Sequence, residues 1–402
     1  MTDIQKENKS GGKVPNNPKQ IPNLRFPEFE GEWEVKKLGE IAEKIGDGLH
    51  GTPSYTDESN YYFINGNNLI NGKIEITENT KKIDAKTFLK NDKNLRKNTL
   101  LISINGTIGN IAKYNNENVM LGKSVGYFNF EENSDFLYFV LQTSPVQEHF
   151  KSELTGSTIK NLSLKTLRET NLRLPSQDEQ QKVASFLSLI DERITTQNKI
   201  IEGLKKLKVA TAKKIFSQEL RFKDDNGNDF PEWEEDCLEN VCDIKKGEQF
   251  NKEDLNEIGL YPCLNGGISP SGFSEKYNTD ENTITISEGG NSCGFVNIMK
   301  TKFWLGGHCY KILLFKKISL MYFYQLLKFN EQNVMNLRVG SGLPNIQMKS
   351  LKRFTIKIST SESEHNKIAN FLSAIDSKID IESQLLQKLE EQKKFLLQNM
   401  FV

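Results

Sequence analysis

Lys182-Val183-Ala184-Ser185-Phe186-Leu187 returns later in the chain as Lys367-Ile368-Ala369-Asn370-Phe371-Leu372, and Ile190-Asp191 returns as Ile375-Asp376. Each phrase opens a stretch with one pattern. From Glu179 to Phe216 there is a single glycine, Gly203, and no proline, and apolar residues fall at Val183, Phe186/Leu187, Ile190, Ile194, Ile200/Ile201, Leu204 and Leu207. The second stretch has Ile368, Phe371/Leu372, Ile375, Ile379, Leu385/Leu386, Leu389, Phe395/Leu396 and Met400. A seven-residue apolar repeat held this long predicts a coiled-coil seam, not an ordinary surface helix. The seam residues are Val183, Leu187, Ile190, Ile194, Ile201 and Leu204 on the first helix, and Ile368, Leu372, Ile375, Ile379, Leu386 and Leu389 on the second. Ser176 and Asp178 before one helix, and Ser361 and Ser363 before the other, suit N-caps. Forty helical residues make a rod of about 60 Å.

Outward from these helices the whole chain repeats. Leu24-Arg25-Phe26, Trp33 and Leu38 correspond to Leu220-Arg221-Phe222, Trp233 and Leu238, and Asn65-Gly66 corresponds to Asn265-Gly266, 200 residues on. The offset then falls to 184 for Leu121-Gly122 with Leu305-Gly306, and for Gly156-Ser157 and Asn161 with Gly340-Ser341 and Asn345. Such a period far exceeds that of solenoid repeats, so each copy is a domain with an appendage. The globular part of each copy is made of short β-like runs: Tyr61 to Ile64, Thr99 to Ile104, Val119 to Phe130, Thr283 to Ser287 and Tyr310 to Phe315. Gly, Asn and Pro break these runs, and Phe136 to Gln142 and Leu320 to Leu327 read as helices. The predicted class is α+β: two α/β modules, residues 21–176 and 220–360, each followed by a long helix, residues 177–219 and 361–402.

If the two seams pair within the chain they run antiparallel, which sets the modules at opposite ends of a two-helix rod about an approximate two-fold axis. Gln197 and Glu382 are polar residues at equivalent mid-seam positions. They either face solvent or form a register-setting pair. Duplex DNA has two-fold axes of its own, so two unlike heads on a spacer suit a target with two unlike, separated half-sites.

At this point the residues resemble a known family, the specificity subunits of type I restriction–modification systems. The resemblance rests on Gly156-Ser157 through Asn161, Leu164-Lys165, Leu167, Leu174-Pro175, Glu179-Gln180-Gln181-Lys182, Phe186-Leu187 and Ile190-Asp191. It recurs in Gly340-Ser341, Asn345, Met348-Lys349, Leu351, Glu364 through Leu372 and Ile375-Asp376. His50-Gly51-Thr52-Pro53 with Tyr55, Gly106-Thr107-Ile108-Gly109 and the run from Leu264 to Gly272 also belong to it. The second copy departs in Thr360, where the first has Pro175-Ser176, and in His365-Asn366, where the first has Gln180-Gln181. The resemblance implies that each module is a target-recognition domain for half of a bipartite, asymmetric site on double-stranded DNA. The helices would hold two methyltransferase subunits, which methylate adenine with S-adenosylmethionine. Two translocase–nuclease restriction subunits would cut unmethylated DNA with ATP and Mg. This chain would carry no catalysis and no cofactor.

Composition agrees with that reading. The 402 residues carry 53 basic and 53 acidic side chains, and 36% are hydrophobic, the make-up of globular domains and not of an indiscriminate coat for nucleic acid. The longest apolar-rich stretch, Ile318 to Leu327, is interrupted by Ser319 and Gln325 and is half of what a membrane helix needs. Residues 1–20, with Lys6, Lys9, Lys13 and Lys19 among Asn, Gly and Pro, read as a disordered tail and not as a signal peptide, so a cytoplasmic location is expected. Five cysteines, Cys237, Cys242, Cys263, Cys293 and Cys309, make a poor disulfide framework. Cys237 and Cys242 with His308-Cys309 lack the paired spacing of a structural zinc site, so no metal is expected.

Motifs for catalysis fail on context. Gly46-Asp47-Gly48-Leu49-His50-Gly51 fits GxGxxG, but it follows a helix-like Leu38 to Ile45 and runs into Thr52-Pro53, so it reads as a loop. Gly122-Lys123-Ser124 lacks the upstream glycine of a P-loop, Glu117 standing there. There is no Pro-Pro pair for an amino-methyltransferase loop, and four scattered histidines, His50, His149, His308 and His365, give no triad. A stand-alone methyltransferase or nuclease, and a coiled-coil adaptor without DNA affinity, remain as rival readings. Lys81, Lys82, Lys86, Lys90, Lys93, Arg96 and Lys97 stand against Asp84 and Asp92, a run suited either to phosphate contact or to solvent. The falling offset places this run in a segment that only the first module has. Base reading draws on polar side chains at loop tips. The candidates are Thr52, Tyr55, Asn65, Asn67, Asn105, Thr107 and Lys123 in the first module and Asn265, Ser269, Ser271, Asn291, His308 and Lys311 in the second. These are also ordinary turn-forming residue types. Ile200 and Val209, on outer helix faces, point to dependence on partner subunits.

Overall fold

The computed structural model describes residues 21–132, 134–156, 160–251, 253, 255–315, 317–340 and 342–402. Residues 1–20, read as a tail, and Ser157 and Ser341 of the repeated Gly-Ser motif lie outside the described residues. The chain divides into two compact units, one made of residues up to Thr196 with Leu386–Val402, the other of Gln197–Leu385. Each mixes helix and sheet, as the class α+β requires.

In the first unit a four-stranded antiparallel sheet runs, in spatial order, Lys44–Asp47, Val125–Asn129, Thr99–Ser103, Ile111–Lys113. Thr99–Ser103 is buried along its whole length, which is why Leu100, Leu101 and Ile102 follow one another without alternation. A second sheet runs Lys82–Ile83, Tyr61–Ile64, Val119–Leu121, the last pair parallel. Val119 to Phe130 is therefore two strands, split at a turn whose Val125 N–H donates to the Gly122 carbonyl at 3.0 Å. Glu34–Lys37 pairs with Asn171–Leu174, tying the start of the module to its end. Leu38 to Ile45, read as one helix, is a four-residue helix, Leu38–Ile41, followed by the strand Lys44–Asp47. One turn satisfies few of its own carbonyls, and the strand instead gains a full ladder with Val125–Asn129.

The second unit repeats this plan with Cys242–Lys246, Cys309–Leu314, Thr283–Ser287 and Val296–Met299 in one sheet and Gly272–Ser274, Tyr261–Leu264 and Trp304–Leu305 in the other. Pairing registers locate the length difference between the copies. Tyr61 faces Ile83 in the first, and Tyr261 faces Ser274 in the second. The excess therefore falls in two places: residues 65–81 against 265–271, and 84–98 against 275–282. The first holds the hairpin Leu69–Ile70/Lys73–Ile74 and the second the helix Ala85–Lys90. Lys82–Ile83, at the start of the lysine run, does have a counterpart, Gly272–Ser274, so only part of that run is an addition.

Two long helices, Gln177–Phe216 and Glu362–Asn399, complete the units. The Glu179 N–H donates to Ser176 Oγ at 3.4 Å and the Glu364 N–H to Ser361 Oγ at 3.3 Å, the expected caps. All twelve seam residues are buried or half-buried. The three-and-four spacing continues through Gln197 and Lys208 on one helix and Glu382 and Lys393 on the other. Gln197 Nε2 donates to the Glu382 carbonyl at 2.9 Å and to its Oε2 at 2.5 Å. The two residues are a seam pair, not solvent-facing. Lys378 first, then Gln197, hold the Glu382 carboxyl below its ordinary range. In the second unit Lys208 Nζ lies 2.7 Å from Asp376, and in the first Lys393 Nζ lies 2.8 Å from Asp191. Partner numbers fall from 382 to 376 as 197 rises to 208, so the helices run antiparallel. Leu207 is 53% exposed, because the seam position is Lys208 beside it. Ile200 and Val209 are exposed.

Each helix ends in an aromatic plug. Phe401 packs on Trp33 and Phe136 in the first unit, at 6.1 and 5.4 Å between ring centres. Phe216 packs on Trp233, Tyr322 and Phe329 in the second, at 6.1, 6.2 and 5.3 Å. Nearby, two equivalent buried carboxylates are satisfied differently. Glu179 takes both prongs of Arg25 at 2.8 and 2.7 Å, whereas Glu364 accepts from Trp233 Nε1 at 2.9 Å and Ser359 Oγ at 2.6 Å. Among the described residues no helix is long and apolar enough to cross a membrane.

Candidate nucleic-acid interface

In the first unit, loops from five places in the chain are laced together at one end of the sheets. The Gly48 N–H donates to Val125 O at 3.0 Å and the Leu49 N–H to Leu121 O at 2.7 Å. The Gly66 N–H donates to Ser124 Oγ at 2.9 Å, and the Ile104 N–H to Ser124 O at 2.9 Å. Asn105 forms a β-bridge with Asn161, and the Leu162 N–H donates to Ile104 O at 2.9 Å. The second unit repeats the lacing. Glu248 donates to Leu305 O at 2.9 Å, Glu288 to His308 O at 2.8 Å, Ile346 to Glu288 O at 2.8 Å and Gly290 to Pro344 O at 3.0 Å, all through backbone N–H. Where the first unit uses the Ser124 hydroxyl, the second uses the Cys309 thiol, 3.0 Å from the Gly266 N–H. Backbone bonds hold these loops as a fixed surface, leaving many side chains free for contact.

The glycine motifs serve this packing. A strand does precede Gly48, contrary to the sequence reading, and Gly46 lies within it. A Cβ on Gly46 would meet the Tyr127 hydroxyl at 2.7 Å, and one on Gly48 would meet Leu121 O at 2.2 Å. Gly247 is in the same position, 2.3 Å from Gly306 O. No helix follows, so there are no helix N–H groups to hold a phosphate. Gly122-Lys123-Ser124 is a turn between strands, and a Cβ on Gly122 would meet Asn65 Oδ1 at 2.3 Å.

The candidates separate into groups. Asn65 and Asn265 are braces: Asn65 Oδ1 accepts from Ser124 Oγ at 3.0 Å, and Asn265 Oδ1 lies 3.4 Å from the His308 N–H. Thr52, Tyr55, Asn67, Thr107 and Lys123 are exposed on the first unit's loops, and Asn105 is half-buried there. Ser269, Ser271, Asn291 and His308 are exposed on the second unit's loops. Lys311 is not at a loop tip: it lies within the strand Cys309–Leu314, paired with Lys245 and Thr285 and half-buried. Its position in a β-like run foretold this placement.

Among the described residues Lys86, Lys90, Lys93 and Lys97 form no ion pair, whereas Arg96 forks onto Glu43 at 2.8 and 3.1 Å. Asp84 caps the helix Ala85–Lys90, and bonds from the Thr87 N–H and hydroxyl hold its carboxyl below the usual range. Phe88 anchors this helix on Tyr61, with ring centres 4.4 Å apart. Tyr61 begins the strand that ends at Ile64, before Asn65, so Phe88 anchors this helix at the end of the strand away from the Asn65 loop, about 13 Å off for four residues. Lys86, Lys90 and Lys97 are exposed and Lys93 is half-buried.

One group escaped the sequence reading. The Glu288 carboxylate, at the exit of strand Thr283–Ser287, lies 2.7 Å from Lys246 Nζ and accepts from the Tyr310 hydroxyl at 2.9 Å. His308 Nδ1 is 3.9 Å from its other oxygen. The three partners come from two other strands and a turn, a juxtaposition that spacing along the chain does not reveal. All five cysteines are free, and burial pushes the Cys309 thiol up to about 11 and the Cys242 thiol up to about 12. Among the described residues no cluster of three or more His, Cys, Asp or Glu is placed to hold a metal.

Comparison with known proteins follows the same two-copy division. The sequence profile of the type I restriction modification DNA specificity domain matches residues 30–206 and again 231–391. A Methanocaldococcus jannaschii protein, named as the specificity subunit of a type I restriction enzyme, is 24% identical over 94% of this chain and 93% of its own. A Mycoplasma genitalium protein named as a type I specificity subunit is 32% identical over 39% of this chain, a match spanning about two fifths of that relative. A crystal structure of a type I restriction–modification S subunit from M. genitalium shares the fold, with a TM-score of 0.63 at 22% identity, over 95% of this chain and 99% of that one. With the family profile matched twice, once on each unit's sheets and the helix that follows them, the chain belongs to the type I restriction–modification DNA specificity family.

Proposed function

We propose that this chain selects the target of a type I restriction–modification complex, each module reading one half of a bipartite, asymmetric sequence on double-stranded DNA. The observation that carries the reading is a pair of loop clusters laced by the same backbone bonds but presenting different side chains. A common scaffold with unlike tips suits two half-sites of unlike sequence. The helices hold the halves at a set gap, and outer apolar residues such as Ile200 and Val209 give methyltransferase subunits a place to dock. Adenine methylation with S-adenosylmethionine, and ATP- and Mg-dependent cleavage, belong to two methyltransferase and two restriction subunits. This chain supplies address and assembly. Lys86, Lys90, Lys93 and Lys97 contact phosphates beside the first half-site.

The test is co-expression with the cognate methyltransferase subunit and sequencing of methylated adenines. One two-part motif, methylated once on each strand, is expected, with no activity from either protein alone. Methylation or cleavage by this chain alone refutes the reading in favour of a stand-alone enzyme. An assembled complex with no preference among duplexes refutes it in favour of an adaptor.

A further inference from the structure

We infer that Leu343 reads a thymine in the second half-site, its side chain packing on the C5 methyl group in the major groove. The inference rests on the proposed role of the module and adds a base and the residue that selects it. Leu343 stands on a short hairpin at the loop end of the second unit and is 86% exposed, so it adds almost nothing to the core. The Val339 N–H donates to Asn345 O at 2.8 Å and the Asn345 N–H to Val339 O at 3.0 Å, which closes the hairpin. Gly340 starts the reversal at φ +99°. The returning side is tied to the loop after strand Thr283–Ser287. There the Gly290 N–H donates to Pro344 O at 3.0 Å, and Asn345 bridges Gly289. Pro344 also narrows the backbone choices of Leu343. The leucine is thus presented from a fixed base, and the loop that fixes it carries the exposed Asn291.

Charge and shape say what meets the hairpin. Arg338 precedes it, and Lys349 and Arg353 follow it; all three are exposed, and among the described residues none forms an ion pair. Cations on both sides of the hairpin suit phosphates flanking a base contact. A two-stranded projection fits the major groove, about 12 Å wide, and not the minor groove, about 6 Å wide. On the major-groove edge adenine, guanine and cytosine present hydrogen-bonding groups, and thymine alone adds a methyl group. An isobutyl group set against a polar edge leaves that edge without partners, which costs affinity. Set against the methyl, it removes apolar surface of both groups from water. One leucine therefore favours thymine and also disfavours the other bases. The first copy pairs Thr155 with Asn161 as the second pairs Val339 with Asn345, and the residue equivalent to Leu343, Ile159, lies outside the described residues. The inference accordingly concerns the second half-site alone.

The complex with its methyltransferase subunit is titrated by fluorescence anisotropy with a duplex bearing its methylated motif. Each thymine of the second half-site is replaced in turn by deoxyuridine, which pairs in the same way but lacks the methyl group. At one position the replacement weakens the wild-type complex by about fourfold, the worth of one buried methyl group. In Leu343→Ala the same replacement costs about 1.5-fold or less, whereas Leu343→Met, still apolar and of similar size, keeps a loss of about twofold or more. Any change in duplex stiffness meets all three proteins alike and cancels in the comparison. A second half-site without thymine on either strand overturns the inference. So does a deoxyuridine cost that is equal in wild type and Leu343→Ala at every position. Weaker binding by Leu343→Ala with no cost of deoxyuridine in the wild type would make the leucine a wedge between base steps, and failure of Leu343→Ala to assemble with the methyltransferase subunit would make it a protein contact; each overturns the inference. In all these outcomes the wild-type complex still binds its motif and the module's role stands, whereas absence of any sequence preference in the same titration brings down the role itself.

Discussion

Replacing Phe401 by alanine removes a ring that is 8% exposed and touches Trp33 and Phe136 in the first unit's core. Truncating a buried phenylalanine costs about 3–5 kcal/mol, the upper part of the range where neighbours cannot collapse. Phe401 follows the last helical turn and its segment is held by the Leu24 N–H on Asn399 O, so it has room to settle, and about 3 kcal/mol is expected. That is a large part of the roughly 5–15 kcal/mol that holds a domain. The effect should be local. Hydrogen exchange read by mass spectrometry is expected to show about a hundredfold loss of protection in Thr99–Ser103 and Val125–Asn129 and none in Thr283–Ser287. Phe216→Ala, the equivalent change among three rings, should do the reverse, at the upper end of the range. Equal loss in both units, or less than a threefold change in the first, would refute the reasoning that each helix end completes one core.

His365 is buried, its Nε2 2.8 Å from the Ser359 carbonyl oxygen, and burial pushes its protonation below the ordinary range. The unfolded chain then binds a proton that the folded chain refuses, so stability falls as pH drops below about 6.5 until the folded imidazole is also charged. His365→Gln, the residue the first copy carries as Gln180, should flatten the melting temperature of the second unit between about pH 5 and about pH 7. Neutralising Lys86, Lys90, Lys93 and Lys97 should weaken binding to all duplexes and reduce the salt slope by roughly one for each phosphate left without a lysine, while weaker discrimination at an unchanged slope would make them base readers. Four residues inserted beside Gln197 add about 6 Å and about 40° to the helix. Methylation mapping should then find the gap longer by about one or two base pairs at about 3.4 Å each. An unchanged gap with full activity would make the helix a tether and not a ruler.

The helices and the internal repeat were legible because seven-residue spacing and repeated phrases are properties of the chain alone. Even there, Leu207 misled: hydrophobicity favours it over Lys208, but the lysine reaches Asp376 from the seam and only the pairing shows this. Leu38 to Ile45 was misread because a short helix and a buried strand share an apolar spacing, and the ladder with Val125–Asn129 decides between them. In the candidate site, Asn65 and Asn265 stand out in the sequence by recurring 200 residues apart. The Oδ1 of each braces a turn 59 or 43 residues further along the chain, a role that only the folded contacts reveal. Glu288 was invisible because its partners Lys246 and Tyr310 lie on other strands.

The seam bridges also bear on ancestry. Asp191 meets Lys393 and Lys208 meets Asp376, and these are the same two positions of the repeat with the copies exchanged. Such reciprocity is the mark of an isologous contact, in which i meets j and j meets i. A single ancestral unit would have made both bridges with a second molecule of itself. Only the middle position would have met its own image, glutamate against glutamate or glutamine against glutamine. Joining two copies in one chain released that position from self-pairing and let it become Gln197 against Glu382, a donor facing a carboxylate that a homodimer of one sequence cannot set at that position.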